Sequence, residues 1–158
     1  ELAEEYDNVG LVVQAYLYRT EEDLERLDKY NTDLRLCKGA YLEPPDIAFP
    51  SKEEVDRSFR KLIAQHLHNG NYTAVATHDE DIIAFTIKYV EDHDIPDDLF
   101  EFQLLYGIRR DLQQELADEG YTVRVYVPFG TEWYPYFTRR LAERPANVFF
   151  IMQNLFKG

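Results

Sequence analysis

The chain has 158 residues, 45% of them hydrophobic, which is one domain's worth of material with enough apolar mass for a real core. Thirty acidic against 17 basic residues give a net charge of −13, which argues against a nucleic-acid partner, because polyanion affinity rests on neutralising phosphates with Lys and Arg. The single cysteine, Cys37, excludes an internal disulfide and any multi-cysteine metal site and fits a reducing cytoplasm, and with no leader-like start and no run of about 18 apolar residues the chain is expected to be soluble.

Residues 1–9 read as the last turns of a helix and a loop. Leu11 to Leu17 is a near-continuous apolar run of strand length, with Gln14 its polar exception. Thr20 is placed to cap a helix whose first turn is acidic and whose Leu24, Leu27 and Tyr30 recur at helical spacing until Asn31. Residues 33–41 form the central strand. On it Arg35, Cys37, Gly39 and Tyr41 share one face, and Leu36, Lys38 and Ala40 share the other. Gly39 lets the backbone approach a ligand closely. A proline-rich loop follows, then the capping-box pattern Ser51-Lys52-Glu53-Glu54. The helix it starts carries Val55, Phe59, Leu62, Ile63 and His66 on one stripe, which makes His66 a half-buried interface residue rather than a ligand.

Tyr72 to His78 is a third strand, and Asp79-Glu80-Asp81 starts a helix with Ile82, Ile83, Ile87 and Val90 inward. Leu99 to Tyr106 and Thr122 to Phe129 are the fourth and fifth strands. Between them Ile108, Leu112 and Leu116 mark a helix ended by Gly120. Thr131 is placed to cap a helix from Glu132 to about Glu143, and residues 147–156 make a short closing helix.

Five strand-then-helix units mean α/β architecture, parallel strands and right-handed crossovers. Either a doubly wound sheet or five-eighths of a (β/α)8 barrel satisfies that pattern, and both place ligands at the carboxyl ends of the strands. The first strand runs into Leu17-Tyr18-Arg19-Thr20 without the glycine-rich turn of a nucleotide-binding doubly wound sheet. Polar residues inside the strands, Gln14, Arg35, Thr77, Gln103 and Arg124, suit a barrel with a polar cofactor in its mouth.

Three constellations can carry chemistry. Tyr136, Arg139, Arg140 and Glu143 recur at i, i+3, i+4 and i+7, on one helical face. That face is either a solvated stripe with a weak surface pair or a clamp for a carboxylate, to which two guanidinium groups offer bidentate donors. Thr77-His78, where a strand passes into a helix, either meets phosphate or ribose or is ordinary surface. Tyr126 is either core packing with its hydroxyl satisfied or, near its strand's carboxyl end, part of a site.

The segments Arg35-Leu36-Cys37-Lys38-Gly39-Ala40-Tyr41, Ala76-Thr77-His78, Glu101-Phe102-Gln103-Leu104-Leu105-Tyr106-Gly107, Arg124-Val125-Tyr126-Val127-Pro128-Phe129-Gly130 and Tyr136-Phe137-Thr138-Arg139-Arg140-Leu141-Ala142-Glu143 come in one order. Together they resemble the signatures of the proline dehydrogenase family, over about residues 10–156. The resemblance implies a distorted (β/α)8 barrel with FAD at the carboxyl ends of its strands and oxidation of L-proline to Δ1-pyrroline-5-carboxylate by hydride transfer to flavin N5.

Carried over by position, Gln14, Lys38, Gly39, Ala40, Thr77 and His78 would contact FAD, and Arg35 would lie near the flavin N5, where a fixed cation favours the charge of the reduced ring. Arg139 and Arg140 would clamp the proline carboxylate, Tyr126, Tyr136, Tyr41 and Leu105 would wall the ring, and Glu143 would orient the arginines. Arg35 and Tyr126 are the implied catalytic residues, and no metal is implied. Electrons would pass to a quinone or other acceptor, with peripheral contact at the inner face of the membrane.

The family's first three strands, which supply a lysine and an aspartate to the site, have no counterpart in these residues. The chain thus looks like the carboxyl-terminal five-eighths of such an enzyme, and it needs those strands from elsewhere or self-associates. A non-catalytic flavin-binding or interaction remnant of the same fold is the other reading.

Overall fold

The computed structural model describes residues 2–6, 8–41 and 43–131. Strands and helices alternate as α1 (Leu2–Glu5), β1 (Leu11–Gln14), α2 (Thr20–Asp28), β2 (Leu34–Cys37), α3 (Lys52–His68), β3 (Thr73–Ala76), α4 (Glu80–Asp92), β4 (Phe100–Leu105), α5 (Arg110–Asp118) and β5 (Val123–Tyr126). Every strand pairing is parallel, and the order is β1-β2-β3-β4-β5. A doubly wound sheet reverses its order at a switch point, and this sheet does not. The barrel reading holds: these are five consecutive units of a (β/α)8-like fold. The helices expected over 132–143 and 147–156 lie outside the described residues.

Register separates the two faces of the sheet. Leu34, Leu36, Val75, Phe100, Phe102 and Leu104 point to the helices and join Leu24, Phe59, Leu62, Ile63, Leu67, Ile82, Val90, Leu112 and Leu116 in one buried core. Each such side chain contributes about 1.5–3 kcal/mol when fully buried. The other face carries the row Val12, Arg35, Ala74 and Glu101, and above it the row Gln14, Cys37, Ala76, Gln103 and Arg124. Apolar helix-facing positions and the polar opposite ones Arg35, Glu101 and Gln103 explain why β2 and β4 alternate instead of reading as uniform hydrophobic runs.

Caps fix the helix starts. Ser51 Oγ accepts from the Glu54 amide at 3.2 Å while the Glu54 carboxylate accepts from the Ser51 amide at 3.3 Å, the expected capping box. The Asp79 carboxylate accepts from the Asp81 amide at 3.1 Å to start α4. Thr20 is not the cap it was expected to be. It is the first residue of α2, and its hydroxyl donates to the Gln14 carbonyl at 2.6 Å, satisfying an acceptor at the end of β1.

The strands are shorter than their apolar runs. β1 stops at Gln14, although the Ala15 and Tyr16 amides still donate to the Cys37 and Lys38 carbonyls at 2.8 and 3.0 Å. Ala15 belongs to the main core, whereas Tyr16 is buried with Ala48 and Val55 in a second small core, with Leu17 packed against it. His66 is fully buried, not half-buried, with its Nδ1 2.8 Å from Thr73 Oγ1. The ring and the hydroxyl share one hydrogen bond, and burial holds the ring below its ordinary pKa and neutral.

Candidate active site

Side chains on the open face of the sheet join into a chain of hydrogen bonds. Arg35 Nε donates to Gln103 Oε1 at 2.7 Å, and Gln103 Nε2 donates to Glu101 Oε1 at 2.6 Å. Arg124 closes the chain with Nε on Oε1 at 2.6 Å and a terminal nitrogen on Oε2 at 2.8 Å. Glu101 is 1% exposed. Burial opposes its ionisation, but the bonds from Arg124, Gln103 and Tyr72 prevail and hold its carboxyl below the usual range. Among the described residues the terminal nitrogens of Arg35 have no hydrogen bond.

Lys38 follows the end of β2 and, as its alternation predicts, turns to the helix side. Its Nζ lies 2.5 Å from both Asp56 of α3 and Asp79 at the start of α4. Lys52 also pairs with both carboxylates. Burial opposes charge on each acid, yet the two lysines hold both below the ordinary carboxylate range. Gly39 has a φ of +106°, and a Cβ there would stand 2.1 Å from Tyr16 Cδ1. The space a side chain would take there is filled by a tyrosine ring of this same chain. Regular alternation ends at Cys37, so the face expected for Gly39 and Tyr41 is not a strand face.

Thr77 is buried, and its hydroxyl accepts from the Asp79 amide at 3.1 Å, which shapes the turn from β3 into α4. His78 sits over the end of β4, where its Nε2 accepts the Leu105 amide at 2.9 Å. An imidazole that accepts at Nε2 carries its proton on Nδ1. Burial first, and the Arg109 cation second, push His78 down to about 4. Arg109 is fixed by Asp111 and Glu80.

Around the end of β1, Gln14, Tyr16, Tyr18, Arg19, Tyr41, Glu43 and Asp46 line an open groove of about 660 Å³. Ala40 is half-buried beside Gly39. Tyr126 is the last residue of β5 and 51% exposed. The structure thus brings Gln14, Lys38, Gly39, Ala40, Thr77, His78, Leu105 and Tyr126 to the carboxyl ends of the strands, with Arg35 two residues below the end of β2. Tyr136, Arg139, Arg140 and Glu143 lie outside the described residues. Sequence reasoning missed Asp56, Asp79, Glu101 and Arg109. The one signal for Glu101 was an acid at an inward strand position, two residues from a glutamine. Among the described residues no group of three His, Cys, Asp or Glu side chains is placed to hold a metal, and no helix is long and apolar enough to cross a membrane.

Comparison with known proteins extends this geometry. The family model described as proline dehydrogenase matches residues 1–153. Proline dehydrogenase 1 of Bacillus subtilis is 54% identical over 154 residues, 98% of this chain and 51% of the relative. Proline dehydrogenase of Deinococcus radiodurans is 55% identical over 152 residues, 96% of this chain and 49% of the relative. Proline utilization A (PutA) from Bdellovibrio bacteriovorus, inactivated by N-propargylglycine, superimposes with a TM-score of 0.78 at 31% identity, covering 85% of this chain and 16% of that one. A mutant PutA of Bradyrhizobium japonicum gives a TM-score of 0.78 at 27% identity over 98% of this chain and 18% of that one. The chain spans about half the length of the curated relatives it matches. On the family model and these relatives together, the chain belongs to the proline dehydrogenase family.

Proposed function

We propose that this chain forms the cofactor-facing portion of a longer FAD-dependent proline dehydrogenase, which oxidises L-proline to Δ1-pyrroline-5-carboxylate in the cytoplasm, in peripheral contact with the inner face of the membrane. The observation that carries the reading is the convergence of Gln14, Arg35, Lys38, Thr77 and His78, from three consecutive units, at one end of the sheet. What supports five of a barrel's eight units is that β1 and β5 each have one strand neighbour among the described residues, and that the chain spans about half of its relatives.

The residues fit a flavin. A half-buried guanidinium whose terminal nitrogens are uncommitted among the described residues, a lysine shared with Asp56 and Asp79, and a neutral imidazole lie toward the same end of the sheet as exposed Tyr41 and Tyr126. That set offers cationic and neutral donors next to aromatic surface, as a large, flat, partly anionic group requires. Bound flavin supplies the two-electron acceptor. Arg35 is the residue to hold the ring by its electron-accepting edge, and Gln14, Lys38, Gly39, Ala40, Thr77 and His78 the residues to hold the rest.

Proline loses a hydride from its C5 and a proton from nitrogen to become the cyclic imine. Arg139 and Arg140 fix its carboxylate, Glu143 orients them, and Tyr41, Leu105, Tyr126 and Tyr136 exclude water around its ring. His78, neutral and hydrogen-bonded to Leu105, ties the cofactor end of β3 to a substrate-side residue of β4. Electrons leave to a quinone or other acceptor.

The test is the absorption spectrum of the full-length protein and its reduction of a dye by proline. Bound flavin with proline-dependent turnover is expected. A protein that binds flavin without turning proline over would instead support the non-catalytic remnant, and one that binds neither would overturn both.

A further inference from the structure

We propose that Glu101 and Gln103 are positioning residues for Arg35. The buried carboxylate fixes which way the Gln103 amide points, and the amide in turn fixes the guanidinium. The assignment rests on the flavin reading above for its consequence, but its geometry stands by itself.

An ionised carboxylate can only accept hydrogen bonds, whereas an amide has a donating and an accepting end. Glu101 accepts from Gln103 Nε2 at 2.6 Å, so the Gln103 NH2 group must face it. The amide oxygen is then turned to Arg35 Nε, 2.7 Å away. With the amide reversed, NH2 would meet N–H and the bond would be lost. Arg124 keeps Glu101 in the acceptor form with two bonds, and Tyr72 adds a third donor. Arg124 is exposed while Glu101 is buried beneath it, so the pair reads as a fixed end from which the orientation is passed inward.

Neither Glu101 nor Gln103 needs to touch the cofactor for this to matter. Nε is committed to Gln103, so the direction of the two terminal nitrogens follows from the amide. A guanidinium held in one direction stabilises charge on a neighbouring ring without reorganising when that charge arrives.

The experiment compares Glu101→Gln, Gln103→Met, Arg35→Met and the double variant Glu101→Gln with Arg35→Met in the full-length holoenzyme, by flavin midpoint potential and steady-state kinetics. Glu101→Gln and Gln103→Met are each expected to weaken the preference for reduced flavin about tenfold, a negative shift of about 30 mV for a two-electron couple, and to lower kcat in proportion with KM for proline held within about twofold. On top of Arg35→Met, Glu101→Gln is expected to add less than about twofold, since it acts through the residue already removed.

A folded Glu101→Gln with unchanged potential overturns the proposal, as do effects that multiply in the double variant. Should Glu101→Gln fail to fold, Gln103→Met decides, because it leaves the Glu101–Arg124 pair in place, and an unchanged potential there overturns it equally. Failure of the functional reading shows separately, as a wild type that binds no flavin. The side-chain resonances of Gln103 and of Arg35 Nε then decide: displaced in Glu101→Gln if the relay exists, unmoved if it does not.

Discussion

His78 makes folding stability depend on acidity in a window that carboxylates leave mostly clear. Its folded pKa is about 4 against an ordinary 6.5, lowered by burial and then by Arg109. Between those values the unfolded chain binds a proton that the folded chain refuses, so stability falls as pH falls. The contribution is fully present above about pH 6.5 and lost progressively toward pH 4. Linkage with those two values gives a loss of about 2 kcal/mol at pH 5 relative to pH 7.5 and a limit of about 3 kcal/mol at lower pH. Substituting His78→Gln keeps an acceptor for the Leu105 amide and removes the titration. Urea unfolding of the apoprotein at pH 7.5 and pH 5, wild type against variant, isolates the effect because His66 and the acids are common to both. The wild type should lose about 2 kcal/mol more than the variant. Equal losses would mean that His78 protonates freely in the folded state and that its bond to Leu105 is not maintained.

Gly39→Ala should cost about 2–4 kcal/mol by chemical denaturation, combining a left-handed backbone with overlap on the Tyr16 ring; a loss below about 1 kcal/mol would show that the loop relaxes freely. Lys38→Met leaves Asp56 and Asp79 facing each other with only Lys52 between them, so thermal stability at pH 7 should drop by about 2–3 kcal/mol, and the deficit should shrink below about pH 4 as those acids protonate. A deficit that ignores pH would refute the charge argument. Arg139→Met or Arg140→Met in the full-length enzyme should raise KM for proline at least about tenfold, the equivalent of one charged hydrogen bond of about 1.5–3 kcal/mol. An unchanged KM with lowered melting temperature would instead favour the surface ion pair.

The strand and helix alternation was legible because periodicity is a local property. Val55, Phe59, Leu62 and Ile63 announced the buried face of α3, and Ser51 with Glu54 announced its start. Strand ends were read too long where apolar residues serve a different surface. Tyr16 and Leu17 extend the run of β1 but are apolar for the sake of Ala48 and Val55. Thr20 looks like a cap because the rule considers only the helix it precedes, while the hydroxyl has a strand carbonyl within reach. At the site, residue types at the carboxyl ends of strands could be read in order. Their partners could not. Lys38 meets Asp79 from 41 positions away and Arg35 meets Gln103 from 68, and no spacing rule spans such a gap. Gly39 suggests close approach to its backbone, but the sequence does not say that Tyr16 packs where its side chain would stand.

Arg35 lies on β2 and Gln103 on β4, so the bond between them passes over β3, across two strand spacings of about 4.8 Å each. What stands beneath it is Ala74 in one row and Ala76 in the next. A side chain of two or three more carbons at either place would rise between the partners and separate them as completely as removing one of them. The electrical character of this face is therefore set as much by volume on the intervening strand as by the charges on either side. Substituting Ala76→Leu, which changes no charge and removes no hydrogen-bonding group, would disconnect Arg35 from Glu101 by bulk alone.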